Sequence, residues 1–290
     1  MKNQTFGIEI ELNGIKRTKA ARLIAEYFGT VATSPDSSCY HTQVIKLSDG
    51  RKWKVMRDSS IPGLDDEKTE VVSPICQWED IETVQALVRI LRRGGAKTDP
   101  AHCGIHVHVG LGNHTPKSLR TLVNLVNAKE DLLTQALNID PERRGSWCKP
   151  VDQDFLERLN KKKPKTMDAF KSCWYDTPRW QYRAEAHYDG TRYRLLNLHA
   201  ISRTGTIEFR AFNSTLHAGE VKSYIQLCLA ISHKALKSSS ASSTRPITDN
   251  PKYTFRCWLL SLGFIGDEFK TAREHLTKHL PGNSAWRQAV

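Results

Sequence analysis

Cys103-Gly104-Ile105-His106-Val107-His108-Val109-Gly110 alternates apolar and polar residues with period two, the pattern of a strand with one covered face and one open face. Ile105, Val107 and Val109 belong on the core side. His106 and His108 share the other side, about 6.5 to 7 Å apart along the strand. Taken alone, two hydrated imidazoles explain an H-x-H strand as well as a metal site does, because a metal needs further ligands from elsewhere in the fold.

Two other stretches repeat the design. Gly7-Ile8-Glu9-Ile10-Glu11-Leu12 sets Ile8, Ile10 and Leu12 on one face and Glu9 and Glu11 on the other. Thr206-Ile207-Glu208-Phe209-Arg210-Ala211-Phe212 buries Ile207 and Phe209 and leaves Thr206, Glu208 and Arg210 opposite. If the three strands lie in one sheet, acids, imidazoles and a guanidinium converge on its uncovered side. Carboxylates with an imidazole suit Mg²⁺ or Mn²⁺ held against phosphate oxygens. Arg210, two residues from Glu208, adds a fixed cation of the kind that neutralises charge in phosphoryl transfer.

With 290 residues the chain is long enough for one large domain or two modest ones. Its 39% hydrophobic and 26% charged content is an ordinary globular mix. No apolar run approaches the roughly 18 residues of a membrane span, and Met1 leads into strand-like sequence without room for a signal peptide. Seven cysteines without a C-x-x-C pair fit reduced thiols. These features give the expectation of a cytoplasmic protein with no membrane partner. A net charge of +12 favours polyanionic partners, although runs such as Arg143-Arg144 and Lys161-Lys162-Lys163 read first as solvated helix ends and loops.

Along the chain, Thr18 to Phe28 is an amphipathic helix. Tyr40 to Leu47 and Trp53 to Arg57 flank a turn at Ser48-Asp49-Gly50-Arg51, and Glu70 to Pro74 is a strand. Gln77 to Arg93 and Thr115 to Leu137 are helices with acidic or capped starts. Residues 138–191 lose the pattern, carry two short helices' worth of periodicity, and read as a substrate-selecting insertion or lid. Tyr193 to Ala200 and Thr206 to Phe212 read as a second hairpin. Residues 1–237 thus form the main domain, 238–250 a serine-rich linker, and 251–290 a small helical appendage. Hairpins outnumber βαβ crossovers, which points to an α+β class with a largely antiparallel sheet backed by helices.

Six short motifs in one order resemble the amidoligases, carboxylate-amine ligases with a glutamine-synthetase-like fold that also include glutamate-cysteine ligase. They are Phe6 to Glu11, Trp53 with Asp58-Ser59-Ser60, Glu70 to Ile75, Cys103 to Val109, Asn197-Leu198-His199 and Gly205 to Arg210. The resemblance implies a curved sheet forming an open funnel that holds ATP and Mg²⁺ or Mn²⁺. ATP would phosphorylate a carboxylate, and an amine would displace the phosphate to form an amide. Glu9, His106 and Glu208 would hold the metal on the nucleotide phosphates. Glu11 and Glu70 would hold the metal facing the carboxylate, with Asp58 or Glu67 as a third acid, and Arg210 would stabilise the phosphoryl group in flight. His108 and Asn197 are candidate nucleotide or substrate contacts, and His199 shares the strand face expected for Asn197. No equivalent of glutamine synthetase's ammonia site is evident, so the amine is expected on a small molecule, peptide or protein.

Two other classes fit parts of the pattern. A zinc hydrolase would use His106, His108 and an acid. A basic nucleic-acid-binding module would treat the acids as incidental, although Glu9, Glu11 and Glu208 on the open face would repel phosphates unless a cation intervened.

Overall fold

The computed structural model describes residues 1–286. The three alternating stretches become β1 (Phe6–Leu12), β5 (Gly104–Gly110) and β7 (Thr206–Asn213). They are joined by β2 (Gln43–Lys46), β3 (Lys52–Arg57), β4 (Thr69–Val72) and the two-residue β6 (Leu196–Asn197). The seven strands form one curved, unclosed sheet in the order β2-β3-β4-β1-β5-β7-β6. All pairings are antiparallel. The fold is therefore α+β, as the hairpin-rich sequence requires.

Helices cover the apolar face. They are α1 (Arg17–Tyr27), α2 (Ile81–Arg93), α3 (Pro116–Ala136) and α9 (Ala218–Lys237). Ile8, Ile10, Leu12, Ile105, Val107 and Val109 are buried in one cluster with Leu122, Val126, Ile225 and Leu229 of these helices. Burial on that side commits the alternate residues of β1 and β5 to the concave face, because the side-chain period of a strand is two.

Strict alternation would also send Phe212 to the open face with Glu208 and Arg210. The register of β5 against β7 instead shifts by one between Ile105↔Phe212 and Val107↔Phe209. This β-bulge turns Phe212 back to the helices, where it stacks on Tyr224 with centroids 4.3 Å apart. Arg210 stays on the site side and the aromatic ring stays in the core.

Other expectations are corrected. The strand expected over Tyr193 to Ala200 is realised only as β6. Asn197 Oδ1 accepts the His199 backbone N–H at 2.9 Å, a local turn that leaves the ladder. His199 then has helical backbone angles and precedes α8 (Ala200–Arg203). Asn197 and His199 consequently face different partners, and the His199 ring bonds the Tyr175 hydroxyl at 2.7 Å. The 138–191 segment carries four short helices: α4 (Pro141–Ser146), α5 (Gln153–Lys162), α6 (Met167–Tyr175) and α7 (Gln181–Glu185). Asp140, Asp152 and Thr166 cap the first three. Caps rather than periodicity define such brief helices.

The serine-rich stretch is tied along α3. Asn124 and Asn127 donate to the carbonyls of Ala241 and Ser243 at 3.0 and 2.8 Å, and Arg245 reaches buried Glu130 at 2.6 Å. Beyond it lie α10 (Pro251–Ser261) and α11 (Lys270–Thr277). Their Phe255, Leu259 and Leu276 join the same hydrophobic cluster as α9. Residues 287–290 of the expected appendage lie outside the described residues. Among the described residues, no helix is long and apolar enough to cross a membrane. All seven cysteines are unpaired.

Candidate active site

Cross-strand register assembles the site. Glu9 of β1 faces His106 of β5, and Glu11 faces Glu70 of β4. On the far side His108 faces Glu208, which faces Asn197. These neighbours stand close enough for direct interaction. His106 Nδ1 lies 2.8 Å from Glu9 Oε2 and 3.9 Å from Glu208 Oε1. His108 Nε2 lies 3.2 Å from Glu9 Oε1, and its Nδ1 is 2.9 Å from Thr206 Oγ1. Glu208 is clamped on both oxygens: Arg210 donates to one at 2.6 Å and Asn197 to the other at 2.6 Å.

Three groups of donor atoms each lie within 4.8 Å of one another: Glu9, Glu70 and His106; Glu9, His108 and Glu208; and Glu11, Asp58 and Glu70. Asp58 is held by Ser60, whose N–H and hydroxyl donate to its Oδ1 at 2.8 and 2.7 Å. Glu67, the other candidate third acid, sits on the short turn Asp65–Glu67 and is not among the residues lining the cavity described below. Asp58 is among them.

Burial opposes the charge on Glu9, but the charges of His108 and His106 and the hydrogen bond with His106 outweigh it and hold the carboxyl well below its ordinary range. Glu208 is also lowered against burial, chiefly by Arg210 and His108. Burial raises Glu11, with His106 and Arg143 offsetting part of the effect. Glu70 is pushed well above its ordinary range by burial and by Glu9, Glu11 and Asp58. A concave face that crowds carboxylates until one resists ionisation has a strong affinity for added positive charge. His106 Nε2 and His108 Nε2 are buried without a hydrogen-bond partner. Unpartnered imidazole nitrogens among carboxylates are a donor set that fits divalent cations.

The groups open into a cavity of about 520 Å³. Glu9, Glu11, Glu70, His106 and Arg210 line it, with Asp58 and Lys54 on the β3 side. His108, Glu208 and Asn197 are not among its lining residues and reach it through Glu9 and Arg210. The 138–191 segment supplies the opposite wall with Arg143, Trp147, His187 and Tyr188, continued by Arg192 and Tyr193. The hydroxyls of Tyr40 and Tyr188 lie 3.5 Å apart, joining the two walls. Arg143 is the residue that sequence reasoning missed: it is 1% exposed rather than solvated. An Arg-Arg pair in a charge-rich stretch carries no periodic signal of burial. Cys103 is buried, and burial pushes its thiol up to about 12, which excludes a thiolate nucleophile at neutral pH.

A comparison with curated proteins gave no match. The family model described as "Putative amidoligase enzyme" matches residues 2–232. That span runs from β1 through most of α9 and contains every strand and every site residue named above. The chain belongs to the amidoligase family, whose description is that of an amide-bond-forming ligase.

Proposed function

We propose that this chain is an ATP- and Mg²⁺-dependent carboxylate-amine ligase acting through an acyl phosphate. The observation that carries the reading is the concave face itself. It presents three adjoining donor groups, rich in carboxylate and each with at most one imidazole, beside two buried arginines. Glu9, His106 and Glu208, with His108 at the same carboxylates, would hold a divalent cation on the nucleotide phosphates. Glu11, Glu70 and Asp58 would hold one near the acceptor carboxylate. Bound there, Mg²⁺ or Mn²⁺ would neutralise phosphate charge and screen the acids from the nucleotide.

The chemistry balances as two displacements. A carboxylate oxygen forms a bond to the γ-phosphorus as its bond to the ADP oxygen breaks. The amine nitrogen then bonds to the acyl carbon, the acyl C–O bond breaks, and phosphate and the amine's proton are released. Arg210 contributes a guanidinium, fixed against Glu208, for the charge on the transferring group. His108 and Asn197 orient Glu9 and Glu208. The walls from 138–191 exclude water from an intermediate that water would hydrolyse.

The division of His106 and His108 between different donor groups argues against a zinc hydrolase that needs both on one ion. A nucleic-acid-binding role finds little support in a cavity floored by carboxylates. Calorimetry with ATP, with and without Mg²⁺, on wild type and Glu208→Ala tests the proposal. Mg²⁺-dependent binding that the substitution abolishes is expected. An absence of ATP binding with either Mg²⁺ or Mn²⁺ would sink it.

A further inference from the structure

Arg143 of α4 is the largest fully buried side chain among the described residues. It is also poorly satisfied. A guanidinium has five N–H donors, and the structure gives this one a single long hydrogen bond, from Nη2 to the Arg210 carbonyl at 3.4 Å. Its Nη1 stands 4.0 Å from Glu11 Oε2, too far for a hydrogen bond, and its Nε has no partner. Leaving a buried charge so weakly paired is costly. A purely structural arginine would be expected to form the fork that carboxylates accept.

The fold nevertheless makes room for it. Gly104 opens β5 directly beneath the guanidinium, and a Cβ there would lie 2.7 Å from Arg143 Cζ. The Gly104 N–H meanwhile donates to Glu11 Oε2, so that oxygen is engaged away from Arg143. The side chain lines the cavity at the end occupied by Glu11, Asp58 and Glu70, whereas Arg210 is paired to Glu208 at 2.6 Å. The site therefore has one arginine already committed to a protein carboxylate and one whose donors remain for something else. A planar fork with open donors beside acids that favour a bound cation matches a carboxylate or phosphate group.

We infer that Arg143 is a substrate-contacting residue that grips the acceptor carboxylate, and then the acyl phosphate made from it, at the Glu11 end of the funnel. The inference rests on the ligase reading for the identity of the anion, but not for the existence of the anion site. It assigns the substrate's reacting end to the floor beneath Arg143. The rest of the substrate then runs along the wall formed by Trp147, Tyr188 and Tyr193.

The test uses phosphonoacetate, which carries a carboxylate and a phosphonate on one small frame. The full chain is titrated with it by calorimetry as wild type, Arg143→Lys and Arg143→Met, and MgATP is titrated separately. Each variant is expected to weaken phosphonoacetate by about tenfold or more, the loss of a charge-assisted fork, while MgATP affinity stays within about threefold of wild type. Unchanged phosphonoacetate affinity in a folded variant, or no binding to wild type, overturns the inference even if MgATP binds normally. Loss of MgATP binding to wild type strikes the ligase reading instead, and the phosphonoacetate comparison still judges Arg143. If neither variant folds, the arginine Nε–H resonances of wild type decide. A buried, slowly exchanging Nε–H must shift on titration, and a set of buried resonances that does not move refutes the assignment.

Discussion

Asn197 shows how much a single uncharged side chain contributes here. It occupies the second oxygen of Glu208 while Arg210 occupies the first, so the carboxylate is aimed before any ligand arrives. Asn197→Ala is expected to weaken Mg²⁺-dependent nucleotide binding by about tenfold, as loss of an orienting partner does at metal sites. The thermal midpoint should fall as well, because the buried His199 N–H and one Glu208 oxygen lose their partner. Calorimetry on the variant checks this, and unchanged affinity would mean that Glu208 needs no such alignment. Residues of this kind divide in legibility. Glu9, Glu11, His106, His108, Glu208 and Arg210 are readable from sequence because period-two alternation places them opposite apolar partners. Arg143 is not, since its burial depends on Gly104 and on a helix whose position no local pattern specifies.

Helix-to-helix contacts carry their own titratable group. His114, just before α3, bonds Ser118 at 3.0 Å and Ser232 of α9 at 2.9 Å. Burial lowers its pKa from 6.5 to about 4. The unfolded chain then takes up the proton first as pH falls. This contribution to stability is complete above pH 6.5 and is lost between 6.5 and 4, reaching on the order of 3 kcal/mol at the acid end. Denaturant melts of wild type and His114→Gln across that range should differ in slope, with the variant flatter; parallel curves would refute the assignment. The strap along α3 gives a second case. Arg245→Ala removes the partner of buried Glu130 and is expected to cost about 1–2 kcal/mol, below a fully buried pair because Arg245 is itself partly exposed. An unfolding free energy equal to wild type would show the strap to be incidental. A run of serines gives no hint of such anchoring, because the anchors are asparagines and a glutamate on another element. The bulge in β7 is equally silent, since alternation alone sends Phe212 to the wrong face. The helices of 138–191 are too short for periodicity to mark.

At the scale of the molecule, α10 and α11 share one hydrophobic cluster with α9 and the sheet. Thermal unfolding of the full chain is therefore expected as a single transition, and truncation after Lys237 should lower its midpoint by exposing the apolar face that Phe255, Leu259 and Leu276 cover. Two resolved transitions, or an unchanged midpoint on truncation, would mark residues 251–286 as independent. The class is legible in the hairpin count, while strand order and the docking of these helices are not, because alternation and apolar stripes do not name a partner.

The register of β1, β5 and β7 has a consequence for how such a protein can change. Glu9, Glu11, Glu70, His106, His108 and Glu208 are placed by strand pairing, so a one-residue slip in the register of these strands exchanges the acids and imidazoles with the core in a single step. The opposite wall comes from short capped helices outside the sheet, where length and composition can vary without disturbing that pairing. The paired acids and imidazoles and most of the wall that faces them are thereby inherited on separate parts of the chain. On the ligase reading, the rest of 138–191 can be rewritten around Arg143 with the paired acids and imidazoles left as they are.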